Sequence, residues 1–311
     1  SDMLDTQEDT EDQIQIISNK LKSVTTIEPV AGISKEVKTL KMSNSASCFL
    51  SDDKSFVCSD DNGKLVRNLP AINLPEKILF VIDTTRERNC TPFKLSSGAK
   101  YMPLFMIKRV VESFVCIKSA IQRTHEYALM ILNSQGAQWI CDFTNNIKSI
   151  VNHLDIIDED ILQEDNKSYD LGQLFEKVEL KLSSSTNKQN TLTPTFVTRM
   201  ILIYSQSNSV PKFHTGRKFL DDLTKNPYFF IDILYVHEPP CSENSCQEIY
   251  AEIAALDRSN LSYIFEVGRN AAKLHDNMAK LLAHPLQRPL QTDICYASYP
   301  TVSLQEIHTN V

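Results

Sequence analysis

The apolar positions of this chain predict a regular alternation of short strands and amphipathic helices from Leu74 onward. The clearest signal is the run 77–85, which reads as a strand buried on both faces that stops at Asp83 and two threonines. Five further strands are predicted at 127–132, 138–143, 200–204, 228–235 and 261–265. Helices are predicted at 103–121, 147–154, 171–182, 219–223, 249–256 and 271–282, with Asp170 and Asn270 as N-caps of the third and last.

The connections between these elements predict the topology. Only the loop 133–136 is short enough for a hairpin, so the third strand is expected to be antiparallel and to lie at an edge. Helices separate the other strands, which favours parallel crossovers. We therefore expect a Rossmann-like α/β/α sandwich with a six-stranded, mostly parallel sheet in the order 3-2-1-4-5-6. The strand that ends at Asp83 would be central, and Asp83 would lie at the ligand-binding edge of the sheet.

Composition changes at both ends of this pattern. Residues 1–73 are predicted to be an acidic, largely disordered arm, because the first twelve positions contain six acids and no base and few aromatic residues follow. One helical face in the arm (Ile14, Ile17, Leu21 and Val24) would either fold onto a partner or bind nothing. Residues 74–283 form the predicted domain, and residues 284–311 a tail that contains proline.

Charge and composition exclude several classes of partner. The net charge of −7 with no run of basic residues argues against nucleic acid, and no apolar run of 18 residues points to a membrane. The chain is therefore expected to be soluble and in a reducing compartment. Neither glycine-rich phosphate-binding motif occurs, and the eight cysteines contain no C-x-x-C pair. Cys116 and Cys141 are predicted to be small buried hydrophobic residues.

Isolated residues with catalytic chemistry do not assemble into a motif. His125 and His153 are interpreted as structural or solvated histidines, and His237 precedes two prolines that prevent a zinc-binding helix. No G-x-S-x-G motif is present. We therefore assign no catalytic residue, expect no cofactor and predict that the chain is not an enzyme.

The strand that ends in Asp83-x-Thr85, the following helix, the hairpin and the later αβ units resemble a von Willebrand factor A domain. In that family, oxygen ligands from three loops hold a divalent cation. Asp83 and Thr85 match the family pattern, but Glu87 occupies a serine position and would crowd the site. Tyr169 falls where a threonine is expected, and Ser205 replaces an aspartate. The resemblance thus implies a degenerate site without a metal, in which Asp83 caps the end of its strand through hydrogen bonds.

The segments 278–289, 74–78 and 227–230 more closely resemble the von Willebrand A-like subunit of the BRISC and BRCA-A deubiquitinase complexes, the mediator of Rap80 interactions family. The resemblance covers residues 70–290. It implies a non-catalytic scaffold that stabilises and positions a polyubiquitin-cleaving complex in ubiquitin signalling, the DNA damage response, DNA repair and the cell cycle. It also implies a nuclear and cytoplasmic location. The implied partner is the ubiquitin-conjugating-variant-like subunit and, through it, the Abraxas-like scaffold and the metalloprotease.

The tail is the predicted contact with that partner. Pro-x-x-Arg-Pro favours an extended, pre-ordered segment, and the predicted partner-binding residues are Pro285, Leu286, Arg288, Pro289, Leu290, Tyr296 and Tyr299. The alternative is a connector that packs back on its own domain. Two other functions stay open: a metal-dependent von Willebrand A ligand-binding module, and a ubiquitin receptor that uses the Ile14–Val24 face.

Overall fold

The computed structural model describes residues 57–59, 65–67, 69–185 and 194–294. Its centre is one six-stranded sheet. The strands are β1 (Glu76–Asp83), β2 (Glu126–Asn133), β3 (Gly136–Thr144), β4 (Val197–Tyr204), β5 (Phe229–Val236) and β6 (Ile264–Val267). β4 and β5 are buried at all eight positions because helices cover both faces of the sheet.

The strand order confirms the predicted topology. Read across the sheet, it is β6-β5-β4-β1-β2-β3, which is the expected 3-2-1-4-5-6. β1 pairs in parallel with both β2 and β4, so Asp83 lies at the carboxyl end of a central strand. β3 is the one antiparallel member of this sheet and follows β2 through a tight hairpin. This is the α/β, von Willebrand A-like arrangement that the sequence predicted.

Within the described residues, six helices cover the two faces of the sheet. They are α1 (Pro103–Ile121), α2 (Ile147–Asp155), α3 (Gly172–Ser185), α4 (Arg217–Thr224), α5 (Cys246–Ala254) and α6 (Ala271–Lys280). Alternate side chains of β1 face opposite ways, so Phe80 packs in the core with α1, α2 and α6, whereas Val81 packs with α3, α4 and α5. In the part of the chain that the structure describes, no helix is both long and apolar enough to cross a bilayer.

Shorter pairings flank this sandwich. Thr85–Arg86 pairs in parallel with Asp160–Ile161, and Ser168–Asp170 pairs in parallel with Val210–Lys212. Phe93–Lys94 pairs antiparallel with Lys100–Tyr101. A further antiparallel pair, Val57–Ser59 with Leu65–Arg67, lies inside the stretch predicted to be largely disordered. The helical face Ile14–Val24 lies outside the described residues.

Two local predictions are wrong. The sixth strand begins at Ile264 rather than at 261, because Asn260 adopts a left-handed conformation (φ 54°) and the Asp257 carboxylate accepts hydrogen bonds from the backbone of the loop. Cys116 is exposed on α1 and Cys141 is only half-buried on the edge strand β3. Neither cysteine is therefore the buried core residue that the apolar pattern suggested.

Candidate functional site

The carboxyl ends of β1 and β4 meet at Asp83, which is 1% exposed. Its Oδ1 accepts a hydrogen bond from the Thr85 amide at 3.0 Å, and its Oδ2 accepts from the Ser205 amide at 3.0 Å and from Gln206 Nε2 at 3.2 Å. Burial raises the pKa of Asp83 even though these hydrogen bonds oppose the shift. The predicted role of Asp83 as a cap of its strand through hydrogen bonds is thus confirmed.

Glu87 forms a second link between the same two loops. Its Oε2 accepts from the Ser207 amide and its Oε1 from the Asn208 amide, both at 2.8 Å. The side chain is 6% exposed, and burial raises its pKa to about 7. The longer carboxylate therefore does not crowd a cation position. It reaches the backbone of the loop that follows β4.

Tyrosine hydroxyl groups hold the rest of this loop. Tyr204 donates to the Ser209 carbonyl at 2.6 Å and Tyr235 donates to the Gln206 carbonyl at 3.0 Å. Tyr169, which occupies the expected threonine position, packs edge-on against Tyr204 with ring centroids 6.3 Å apart and donates to a carbonyl in the β2–β3 hairpin. Tyr169 thus presents an aromatic ring at the position where the family pattern expects a short hydroxyl ligand.

These residues do not fit a divalent cation. A hard cation is bound by carboxylate, carbonyl and hydroxyl oxygens that converge on one point. Here Asp83 and Glu87 receive N–H donors on both carboxylate oxygens, and Ser205 donates its hydroxyl to the Asp83 carbonyl at 3.3 Å. Among the described residues, no group of three His, Cys, Asp or Glu side chains could hold a metal.

A second cluster of charged residues lies at the opposite, amino-terminal edge of the sheet. Arg199 is completely buried and bridges Glu76 at 3.2 Å and Asp232 at 2.6 Å. Lys118 from α1 pairs with Glu76, and Arg288 from the C-terminal segment binds Asp232. Although burial alone would raise the pKa values of the two carboxylates, the neighbouring cations hold them below their ordinary range.

This cluster anchors the predicted docking segment inside the domain. Arg288 donates to both Asp232 oxygens (2.9 and 2.5 Å) and to the Leu261 carbonyl at 3.0 Å. Leu286 and Leu290 are 1% and 5% exposed in a small core with Leu261. The prediction that these three side chains and Pro285 contact a partner directly is therefore not met in the isolated chain, where all four are buried. These residues match the alternative, a connector that packs on its own domain. Burial of the leucines and the bidentate ion pair stabilise this packed arrangement.

Between Pro285 and Leu290, two residues of the segment face solvent. Gln287 and Pro289 are exposed. The segment then forms a short 3₁₀ turn at Gln291–Asp293. The side-chain amide of Gln291 accepts a hydrogen bond from the Ile264 backbone N–H and donates one to the Ile264 carbonyl, at the outer edge of β6. Tyr296 and Tyr299 lie outside the described residues, so their predicted roles stay predictions.

Curated relatives match 73% of this chain. The chain is 32% identical over 232 residues to "BRISC and BRCA1-A complex member 1" of Xenopus laevis, a match that covers 73% of this chain and 69% of that protein. It is 32% identical over 234 residues to the Homo sapiens protein of the same name, with the same coverage of each chain. This chain belongs to that family.

The comparisons with family models and with solved structures do not extend this family assignment. No protein-family model matches the chain. Among solved structures, the SpRpn10 von Willebrand A domain has a TM-score of 0.43 at 13% identity and covers 70% of this chain and 99% of that one. The N-terminal domain of TFIIH p34 has a TM-score of 0.44 at 13% identity, with 66% and 97% covered.

The sequence interpretation found one cluster and missed the other. It placed Asp83, Thr85 and Ser205 together at the mouth of the sheet, as the structure does. It did not find the buried charges, although a signal exists: Arg199 and Asp232 are single charged residues inside otherwise apolar strands. A charged residue in a strand buried on both faces requires a buried partner.

Proposed function

We propose that this chain is a non-catalytic scaffold subunit that stabilises and positions a polyubiquitin-cleaving deubiquitinase complex of the BRISC and BRCA1-A type. The observation that carries the proposal is its membership of a family whose curated members are named as components of these complexes. The proposal includes action in ubiquitin signalling and the DNA damage response, in the cytoplasm and the nucleus.

The geometry at the carboxyl ends of β1 and β4 supports a role in assembly rather than in catalysis. Buried Asp83 and Glu87 are occupied by N–H donors from the neighbouring loop. A general base or a nucleophile needs free lone pairs that face a substrate. The tyrosine hydroxyl groups beside them are committed to backbone carbonyls. The same arrangement disfavours a metal-dependent ligand-binding module, since a cation would have to displace these N–H groups.

We propose that the direct partner is the ubiquitin-conjugating-variant-like subunit, which in turn connects the chain to the Abraxas-like scaffold and the metalloprotease. The candidate contacts are the exposed Pro289 and the downstream Tyr296 and Tyr299. Leu286 and Arg288 then act indirectly, because their burial fixes the path of the segment that leads to these contacts.

Size-exclusion chromatography of the chain with and without the variant-like subunit tests the proposal. We expect a shift to one larger complex, which Tyr296→Ala with Tyr299→Ala weakens, while Ser303→Ala in the same segment serves as the matched control. Separate elution of the two unmodified proteins would reject the proposal. Binding of polyubiquitin by the isolated chain would instead favour the ubiquitin-receptor alternative.

A further inference from the structure

In the metal-binding domains of this fold, a cation joins the loops that follow the strands. In this chain a side chain joins two of these loops. The loop after β1 carries Asp83 and Glu87, and the loop after β4 carries the amides that bind them. We propose that the Glu87 carboxylate takes the place of the divalent cation as the cross-link between these loops, so that the rim of the sheet is set without any metal.

The orientation of the backbone amides in the loop after β4 supports this inference. Two successive amides, Ser207 and Asn208, point at one carboxylate group at 2.8 Å each. Successive backbone N–H groups that converge in this way form a binding site for an anion. A cation site in the same place would need the loop to present oxygen atoms instead. The loop is thus folded around a carboxyl group, which Glu87 supplies from within the chain.

The cross-link extends into a third loop. The Ser207 hydroxyl accepts from the Glu238 amide at 3.0 Å, and the Ser207 carbonyl accepts from the Ser245 amide at 2.8 Å. Ser245 is the N-cap residue that precedes α5. Glu87 therefore anchors the loop after β4, which in turn holds the loop after β5 and the start of a helix. Three loops are connected, although the third is the loop after β5 and not the loop of Tyr169, which matches the threonine position of the metal-binding family.

The alternative explanation is that Glu87 makes incidental hydrogen bonds in a rim that other contacts already define. The two explanations differ in their consequences for the isolated chain. A carboxylate that replaces a cation makes the rim independent of Mg²⁺, and its loss should open the loop. An incidental contact should leave the amides of the loop protected when it is removed. This inference concerns the isolated chain and does not depend on the proposed complex.

Amide hydrogen exchange of the full chain at about pH 8 tests the inference directly, because the Glu87 carboxyl group is then ionised. In Glu87→Gln only one side-chain oxygen remains to accept. We therefore expect exchange at Ser207 or Asn208 to accelerate about tenfold or more, the effect of losing one charge-assisted hydrogen bond. The Thr85 amide, which is bound by Asp83, should be unchanged. The exposed Glu164→Gln variant is the matched control.

Thermal unfolding with Mg²⁺ and with EDTA provides the second measurement. We expect the same Tm for the unmodified chain under both conditions. Glu87→Ser combined with Tyr169→Thr and Ser205→Asp restores the residue types that the metal-binding family carries at these three positions, and its Tm should rise with Mg²⁺. A Tm of the unmodified chain that depends on Mg²⁺ would overturn the inference, as would unchanged exchange at both amides in Glu87→Gln.

Discussion

Replacement of Arg288 by alanine is expected to lower the free energy of unfolding of the domain. Its guanidinium group is fully buried and makes three hydrogen bonds, two of them to Asp232. Removal of one partner from a buried ion pair costs about 3–5 kcal/mol, because the remaining charge is left without full compensation. Arg199 at 2.6 Å and the Tyr263 amide at 2.7 Å still bind Asp232, which favours the lower end of that range.

Urea unfolding followed by the fluorescence of Trp139, the one tryptophan in the sequence, would measure this change. At roughly 2–4 °C per kcal/mol for a domain of this size, Tm should also fall by about 6–20 °C. Gln287→Ala, at the exposed neighbouring position, is the control and should change stability by less than about 0.5 kcal/mol.

A loss below about 1 kcal/mol in Arg288→Ala would refute the argument, since that is the range of an exposed ion pair. The result also decides how binding experiments are designed. If Arg288→Ala and Leu286→Ala weaken the fold, lost binding of a partner by these variants reports unfolding. Variants of exposed residues such as Pro289 are then needed to map the interface.

Three further predictions follow from burial, charge and backbone geometry. Leu286→Ala should cost about 2–5 kcal/mol in urea unfolding, because the side chain is 1% exposed in a packed cluster; a cost typical of a surface residue would contradict that packing. Burial raises the pKa of Glu87 to about 7 from 4.5, so the folded protein holds this proton more tightly than the unfolded chain does. The free energy of unfolding should therefore decrease as pH rises from about 4.5 to about 7, by an amount that Glu87→Gln removes; parallel pH profiles of the two proteins would show this assignment to be wrong. Gly172→Ala should lower Tm more than Gly268→Ala, because a Cβ at Gly172 would lie 2.2 Å from the Thr215 carbonyl oxygen whereas nothing lies within 4 Å at Gly268; equal Tm values would exclude this close approach.

The sequence alone determined the architecture of the domain. Strands buried on both faces appear as unbroken apolar runs, as in 77–83, and helices appear as apolar stripes with a period of 3.6 residues. The short loop 133–136 allowed only a hairpin, and the remaining crossovers had to pass over a face of the sheet. These are local signals, and together they predicted the strand order and the position of Asp83 at the mouth of the sheet.

Only the tertiary structure decided what the charged residues do. Arg288 and Asp232 are 56 residues apart, and Glu87 binds amides 120 and 121 residues away. No local pattern encodes such pairs, because a carboxylate can face a cation, a backbone amide or water with the same neighbours in sequence. Burial determines which of these partners is found, because a charge removed from water must be compensated by a group that the fold brings within hydrogen-bonding distance. For that reason the sequence predicted a partner-binding tail, and the structure instead packs its arginine and two leucines inside the domain.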